Sequence, residues 1–264
     1  MKKIVINFLL VLTLVVAPFR LTPPVQALSS GEPGIGQIYL FPYAIPVENW
    51  MQCAGQSLNI SGKEAFYSLL GTTFGGDGTT FNLPNLTSAN PYPAIKYQIC
   101  WTGLYGLMDT VIGEICLFPD SVMIRYDSEA WLKCDGSSYD TTSCTVLYGI
   151  LSERYGLHLP DLSNSSPLSG LSYYIACDGI PPNIYDAGEY ELIGSISLFA
   201  FDTVPSGMVP CDGRALQCAS EPALYSLLGN GDGTTFRVPD LRGMAPLPGL
   251  TYCISTSGYY PQWS

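Results

Sequence analysis

The chain carries the same ordered set of short motifs three times. A segment of the form Gly-x-Ile-x-Leu-Phe begins each copy, at Gly36, Gly113 and Gly194. A Cys-x-Gly triplet, an apolar patch that starts 13 residues after the cysteine, and a proline-centred tetrad then follow in every copy. The triplets begin at Cys53, Cys134 and Cys211, and the tetrads span 83–86, 159–162 and 238–241. Fixed residue types at fixed spacing indicate one folding unit copied three times.

The repeat divides the chain into three small predicted domains, at 34–103, 111–179 and 192–257. A unit of this length is large enough for a small core but is marginal on its own. Three units that pack together would bury more apolar surface than three separate ones. The connecting segments, 103–112 and 178–193, are predicted to be linkers, and the second, with Glu189 and Glu191, is expected to present a solvated acidic face.

The first 27 residues are typical of a secretory signal. Lys2 and Lys3 form a basic start, 4–17 is apolar, and Val25-Gln26-Ala27 fits the small-residue cleavage pattern. We therefore expect cleavage after Ala27 and a secreted protein that is not embedded in a membrane. An uncleaved anchor is the alternative.

The charge of the chain is acidic, with a formal net charge of −11. Removal of Lys2, Lys3 and Arg20 with the signal leaves 8 basic residues against 22 acidic ones, a net charge near −14. Such a surface repels phosphate backbones, which argues against nucleic acid as a partner. Because 47% of residues are apolar and 12% are charged, the composition is that of a folded protein.

Local patterns predict an α+β unit of short strands and one short helix. The opening segment alternates between apolar and mixed positions, as a strand does, and a second strand ends at the Cys-x-Gly triplet. A helix is predicted in 61–71, where Ser61 and Glu64 fit a capping box, and again in 220–229, with Ser220 as its cap.

The first and third repeats contain a Gly-Asp-Gly run, at 76–78 and 231–233, which the second repeat lacks. Glycines at these positions favour a tight turn with positive φ. A calcium loop would need six or more oxygen ligands, and no spaced series of acidic residues is present. We therefore predict a turn, with neither a metal nor a cofactor.

The chain has nine cysteines, an odd number, and disulfides are expected in an exported protein. A bridge within each repeat, such as Cys211–Cys253, is the favoured pairing. The alternative is that the cysteines of the Cys-x-Gly triplets are small buried core residues.

The third repeat carries a fuller pattern: Cys211-Asp212-Gly213, then 223–229, 231–236, and Val238-Pro239-Asp240-Leu241-Arg242-Gly243. Taken in order, these motifs resemble the phage tail collar domain of short tail fibres and of the bacterial proteins called microcystin-dependent. The resemblance covers essentially all of 34–257, although the first repeat has Asn85 in place of the tetrad aspartate. It implies an α+β unit that in tail fibres assembles as a trimer near a receptor-binding tip, without a catalytic motif.

Proteins of the family that this chain resembles usually hold one such unit per chain, whereas this chain holds three. Our hypothesis is that the three units pack about a pseudo-threefold axis, so that a single chain replaces a trimer. Beads on a string is the alternative. The protein would then be a monomer built as a pseudo-trimer, or part of a disulfide-linked assembly.

Enzymatic activity is not expected, since the single histidine, His158, reads as structural and no nucleophile or metal motif surrounds it. Four tryptophans could stack on sugars: Trp50, Trp101, Trp131 and Trp263. Trp50 and Trp131 occupy equivalent positions before the cysteine, which favours core packing for these two. Tyr259 and Tyr260 could form an exposed aromatic patch or dock the C-terminus.

These observations favour a non-catalytic recognition or adhesion module with a cell-surface receptor or glycan as ligand. The alternative is a structural subunit of an extracellular or phage-tail-like fibre. No catalytic, metal or ligand-binding residue is assigned at this stage.

Overall fold

The computed structural model describes residues 34–43, 47–103, 110–123, 130–182, 191–200 and 204–262. The predicted signal segment and Trp263 lie outside these ranges. The strands are β1 Ile38–Phe41, β2 Trp50–Gln52, β3 Ser57–Asn59, β4 Thr80–Asn82, β5 Lys96–Cys100, β6 Glu114–Pro119, β7 Trp131–Lys133, β8 Leu171–Ala176, β9 Ile196–Phe199, β10 Met208–Pro210, β11 Ala215–Gln217, β12 Thr235–Arg237 and β13 Thr251–Ser255. The helices are α1 Glu64–Leu70, α2 Asp120–Met123, α3 Thr145–Tyr155 and α4 Pro222–Leu228, with a 3₁₀ turn at Thr87–Ala89.

Each repeat contributes three antiparallel strands in the same order. The opening motif forms the inner strand (β1, β6 or β9), the closing Tyr-bearing segment forms the middle strand (β5, β8 or β13), and the strand before the cysteine forms the outer strand (β2, β7 or β10). The predicted strands at the opening and before the cysteine are thereby confirmed.

The three inner strands join the repeats, because each pairs antiparallel with both of the others. Ile38 of β1 lies opposite Leu117 of β6, and Leu40 of β1 lies opposite Ile196 of β9. The third pairing, between β6 and β9, places Glu114 opposite Phe199. One curled sheet of nine strands results, and its inner strands are buried along their whole length.

The closing strands bring three equivalent tyrosines together. The side chain of Tyr97 interacts with those of Tyr173 and Tyr252. With the isoleucine and leucine side chains of the inner strands, the three rings surround a cavity of about 20 Å³. The three repeats therefore meet around a shared tyrosine cluster.

The glycine that opens each repeat has a positive φ: 94° at Gly36, 88° at Gly113 and 86° at Gly194. A Cβ atom at Gly36 would lie 2.9 Å from the side chain of Val122 in the second repeat, and one at Gly194 would lie 2.9 Å from Tyr43 in the first. The motif needs glycine here for the backbone conformation and, at these two positions, for the close approach of a neighbouring repeat.

Hydrogen bonds link all three pairs of repeats. Ser121 Oγ donates to Leu70 O at 3.3 Å, Ser165 Oγ donates to Pro246 O at 3.4 Å, and Tyr92 OH donates to Asp240 O at 2.8 Å. The first of these bonds joins repeats one and two, the second joins two and three, and the third joins one and three. Contacts in all three pairs argue against beads on a string.

The helices are short, so the molecule is richer in strands than the predicted α+β class implies. The predicted caps at Ser61 and Ser220 are wrong: α1 begins after Lys63 and α4 after Glu221, and neither cap residue uses its side chain. Glu64 instead accepts a hydrogen bond from the Gly62 backbone N–H at 2.9 Å. In the part of the chain that the structure describes, no helix has the length and apolarity that a membrane span requires.

Candidate functional site: the Trp101 groove

The cysteines of the repeated triplets are core residues. Cys53, Cys134 and Cys211 are all buried, and burial raises the pKa of each thiol above its ordinary value, so these thiols are poor nucleophiles. The favoured Cys211–Cys253 bridge is wrong, because both residues are thiols. The disulfide among the described residues joins Cys144 to Cys177, two cysteines that occupy no shared position in the repeat.

The repeated acidic residues support turns. Asp77 Oδ1 accepts four hydrogen bonds, from the backbone N–H and the hydroxyl of Thr79 and of Thr80. These bonds lower the pKa of Asp77, and the same backbone pattern recurs at Asp232. The Gly-Asp-Gly run is therefore a self-contained turn. Within the described ranges no group of three or more His, Cys, Asp or Glu side chains is placed to hold a metal ion.

His158 lies where its ring supports the backbone. Its Nδ1 atom is 3.1 Å from the Gly136 carbonyl, and Ser138 and His158 form a single β-bridge. This bridge takes the place of the two-stranded sheets β3–β4 and β11–β12, in which the second strand follows the Gly-Asp-Gly turn of the other repeats. The structural interpretation of His158 agrees with this position.

Trp50 and Trp131 pack in the core, as their equivalent positions predicted. The Trp50 ring lies edge-on to Phe41 at 5.1 Å, and the Trp131 ring lies edge-on to Phe118 at 5.2 Å, with the same interplanar angle of 72°. Both indoles are almost completely buried. Neither ring presents a face for a ligand to stack on.

Trp101 has a different environment, at the rim of a groove of about 550 Å³ in the first repeat. We call it the Trp101 groove, and it runs along the outer strand β2. The lining residues used below are Glu48, Asn49, Trp50, Gln52, Gln56 and Trp101. Trp101 follows directly after β5 and is half-buried.

Backbone and side-chain contacts hold the groove in shape. The Trp101 N–H donates to the Asn49 carbonyl at 2.9 Å. Asn49 has a φ of +71°, and it is the one non-glycine residue in the described ranges with a positive φ. Gln56 Nε2 donates to Gln52 O at 2.8 Å, while the Lys63 ammonium lies 4.9 Å from the centre of the Trp101 ring. A positive φ at a non-glycine residue is uncommon and recurs at functional sites.

Trp50, which lines the groove and fills the core behind it, has an unsatisfied polar atom. Trp50 Nε1 is buried and has no hydrogen-bond partner among the described residues. A buried donor without a partner is rare and calls for an explanation, such as water or a ligand. The groove thus combines an aromatic ring, amide side chains that both donate and accept, and a carboxylate at Glu48.

The Trp101 ring has no counterpart in the other repeats, because its position holds Cys177 in the second repeat and Thr256 in the third. The three residues are equivalent, since each backbone N–H donates to the residue just before the outer strand: Asn49, Ala130 or Gly207. The second repeat uses this position for its disulfide. Sequence reasoning named Trp101 but missed Asn49, whose equivalence to Gly207 (φ 79°) was the available signal.

The C-terminal aromatic residues form a smaller feature. Tyr259 and Tyr260 are exposed, and Tyr260 OH lies 2.9 Å from Ser226 Oγ on α4. The Tyr259 N–H donates to the Glu191 carbonyl at 2.9 Å, which ties the segment to the linker before the third repeat. These contacts dock the chain end, and both rings retain exposed surface.

A model of the phage tail collar domain matches the chain three times, at residues 36–91, 113–167 and 194–246. The matches cover more than half of the chain and coincide with the three repeats. No curated protein and no solved structure matches the chain.

Proposed function

Since the chain belongs to the phage tail collar domain family, with three copies in one polypeptide, we propose that it is a secreted recognition module that binds a saccharide in the Trp101 groove. The family describes a structural, tail-fibre-like module. The groove is the observation that carries the more specific proposal, because its aromatic ring, Trp101, occurs at this position in the first repeat alone.

The chemistry of the groove suits a neutral sugar. A pyranose has an apolar face of C–H groups that an indole can cover, and hydroxyls that both donate and accept hydrogen bonds. The amides of Asn49 and Gln52 and the Glu48 carboxylate can meet such hydroxyls. The net charge of −11 and the presence of Glu48 disfavour acidic sugars.

We propose further that the three repeats take the place of three chains about a pseudo-threefold axis. Two observations support this arrangement: the mutual pairing of β1, β6 and β9, and the equivalent cluster of Tyr97, Tyr173 and Tyr252. A closed ring of three like interfaces leaves no free interface of the same kind. The mature chain should therefore be monomeric. A chain without such closure would show a solution mass of two or more copies.

The test uses the oxidised mature chain, from Leu28 onward, on a panel of neutral and acidic glycans, with titration calorimetry for each hit. Saturable binding of a neutral sugar is expected. Trp101→Ala should weaken it at least tenfold, which corresponds to about 1.4 kcal/mol. Tyr148→Ala is the matched control, since Tyr148 is an exposed aromatic on α3 of the second repeat and should leave binding unchanged.

Two outcomes would overturn the proposal. Equal losses of sugar affinity in Trp101→Ala and Tyr148→Ala would show that the sugar does not bind specifically in the Trp101 groove. A well-folded chain that binds no glycan, yet polymerises under oxidising conditions, would favour the alternative, a structural subunit of a fibre.

A further inference from the structure

Two glutamates from different repeats are buried near the joint of the inner strands, close enough for their charges to interact. Glu114 begins β6 and is fully buried, and Glu191 in the linker before β9 is 6% exposed. The expectation that Glu191 belongs to a solvated linker face is therefore wrong, while Glu189 lies outside the described residues. Glu114 is the charged group that acts most strongly on Glu191.

The two carboxyl groups lie in equivalent turns, but the hydroxyl donor and the glutamate acceptor have exchanged positions between the two repeats. In the second repeat, Thr110 Oγ1 donates to the carboxylate of Glu114, four residues later. In the third repeat the order is reversed, and Ser195 Oγ donates to Glu191 Oε2 at 3.4 Å, four residues earlier. In the first repeat, Gln37 occupies the position of Glu114 as a neutral amide, and its Oε1 accepts from the Gly34 N–H.

No positive group offsets this pair. Within the described ranges neither carboxyl forms an ion pair with a lysine or an arginine. The other titratable groups that act on the pair are Tyr39 of β1 and Cys116 of β6, both of which carry negative charge when they ionise. Glu114 Oε1 has no hydrogen-bond partner among the described residues.

Ser197 of β9 also faces Glu114. Its hydroxyl lies near enough to favour the ionised carboxylate, yet it does not meet the geometry of a hydrogen bond and has no other partner in the described part of the chain. The surroundings of the pair are thus polar but neutral, and two adjacent negative charges would repel each other at low effective dielectric constant.

We propose that Glu114 and Glu191 hold one proton between them at neutral pH and act as an alkali-sensitive latch between the second and third repeats. The backbone of Glu191 is also tied to the chain end, because its carbonyl accepts a hydrogen bond from the Tyr259 N–H. When hydroxide removes the proton, the two carboxylates repel each other and the joint loosens.

The pH dependence follows from the direction of both shifts. Burial raises the pKa of Glu191 well above its ordinary value, and the neighbouring Glu114 raises it further. Burial also raises the pKa of Glu114, although the bond from Thr110 opposes the change. A group whose pKa is raised on folding stabilises the folded state at low pH and loses that contribution as the pH rises through the folded-state pKa. Stability should therefore fall on the alkaline side.

The experiment measures thermal unfolding at pH 6 and pH 9 for the mature wild-type chain and for two variants, Glu114→Gln and Glu191→Gln. Glutamine is the residue that the first repeat has at the position of Glu114. The wild type should lose on the order of 5 °C in Tm between the two values. Either glutamine variant should lose much less. Glu153→Gln is the matched control, because Glu153 is exposed and should leave the wild-type slope intact.

Infrared spectroscopy at pH 7 supplies a second measurement that a purely structural role would not change. The wild type should show the band of a protonated carboxyl group, and the double variant Glu114→Gln/Glu191→Gln should lack it. Absence of that band in the wild type would overturn the proposal. So would a restored Tm at pH 9 on addition of Ca²⁺ or Mg²⁺, since the pair would then hold a metal ion in place of the proton.

Discussion

The inner strands and the outer edges of the sheet have diverged to different degrees. The inner strands keep the Gly-x-Ile-x-Leu-Phe pattern in all three repeats, and they are buried throughout. At the outer edge, the position after the middle strand is Trp101 in the first repeat, Cys177 in the second and Thr256 in the third.

The difference shows what fusion of three units allows. An inner strand contacts both other repeats, so that a change in one must fit two neighbours. An outer strand contacts its own repeat, so that each copy can change independently. In this chain one outer edge has acquired a groove and another a disulfide. Three predictions test this contrast.

The largest loss of stability is expected from the inner strand. Phe118→Ala should lower the free energy of unfolding by about 3–5 kcal/mol, because the ring is 1% exposed and packs edge-on against Trp131. Urea denaturation followed by circular dichroism measures the change. Tyr148→Ala, an aromatic truncation at an exposed site, should cost less than about 0.5 kcal/mol. Similar losses in free energy of unfolding for Phe118→Ala and Tyr148→Ala would contradict the greater importance of the inner strand.

The disulfide at the outer edge of the second repeat should contribute somewhat less. Cys144 and Cys177 are 33 residues apart, and closing a loop of that length stabilises the folded state by about 3–4 kcal/mol. The double variant Cys144→Ala/Cys177→Ala should lose this amount under oxidising conditions. A reducing agent should destabilise the wild type and leave the double variant unchanged, and equal responses would contradict the assignment.

The smallest effect is expected at the Trp101 groove. Lys63→Gln should cost about 0.5–1 kcal/mol, because its ammonium lies 4.9 Å from the centre of the Trp101 ring. A double-mutant cycle with Trp101→Ala measures the interaction directly. Lys133→Gln, a lysine near Tyr174 in the second repeat, provides the control and should show no coupling to Trp101.

Much of each repeat could be predicted locally. The opening strand follows from its alternation, and the glycine before it follows from the positive φ that the turn requires. The Gly-Asp-Gly turns follow from the ability of an aspartate to accept bonds from the next backbone N–H groups. The helix caps could not be predicted as well, because Ser61 fits a capping pattern that the chain does not use.

The candidate site was less accessible to sequence reasoning. The equivalence of Trp50 to Trp131 predicted core packing for Trp50, but nothing in the sequence placed Trp101 at the rim of a groove. The distinction depends on which residues lie across the sheet: Trp101 follows the end of β5, while Trp50 stacks on Tyr39 of β1 at 5.4 Å. A pattern of residue types does not carry that information.

The sequence by itself determined the threefold repeat, the family, and the strands and turns within each unit, since these depend on residues close together in the chain. Only the tertiary structure decided that the inner strands pair with one another, that Cys177 bonds to Cys144, and that Glu191 lies buried beside Glu114. The physical reason is that each of these contacts joins residues 33 or more positions apart, where packing and burial, and not local conformational preference, choose the partner.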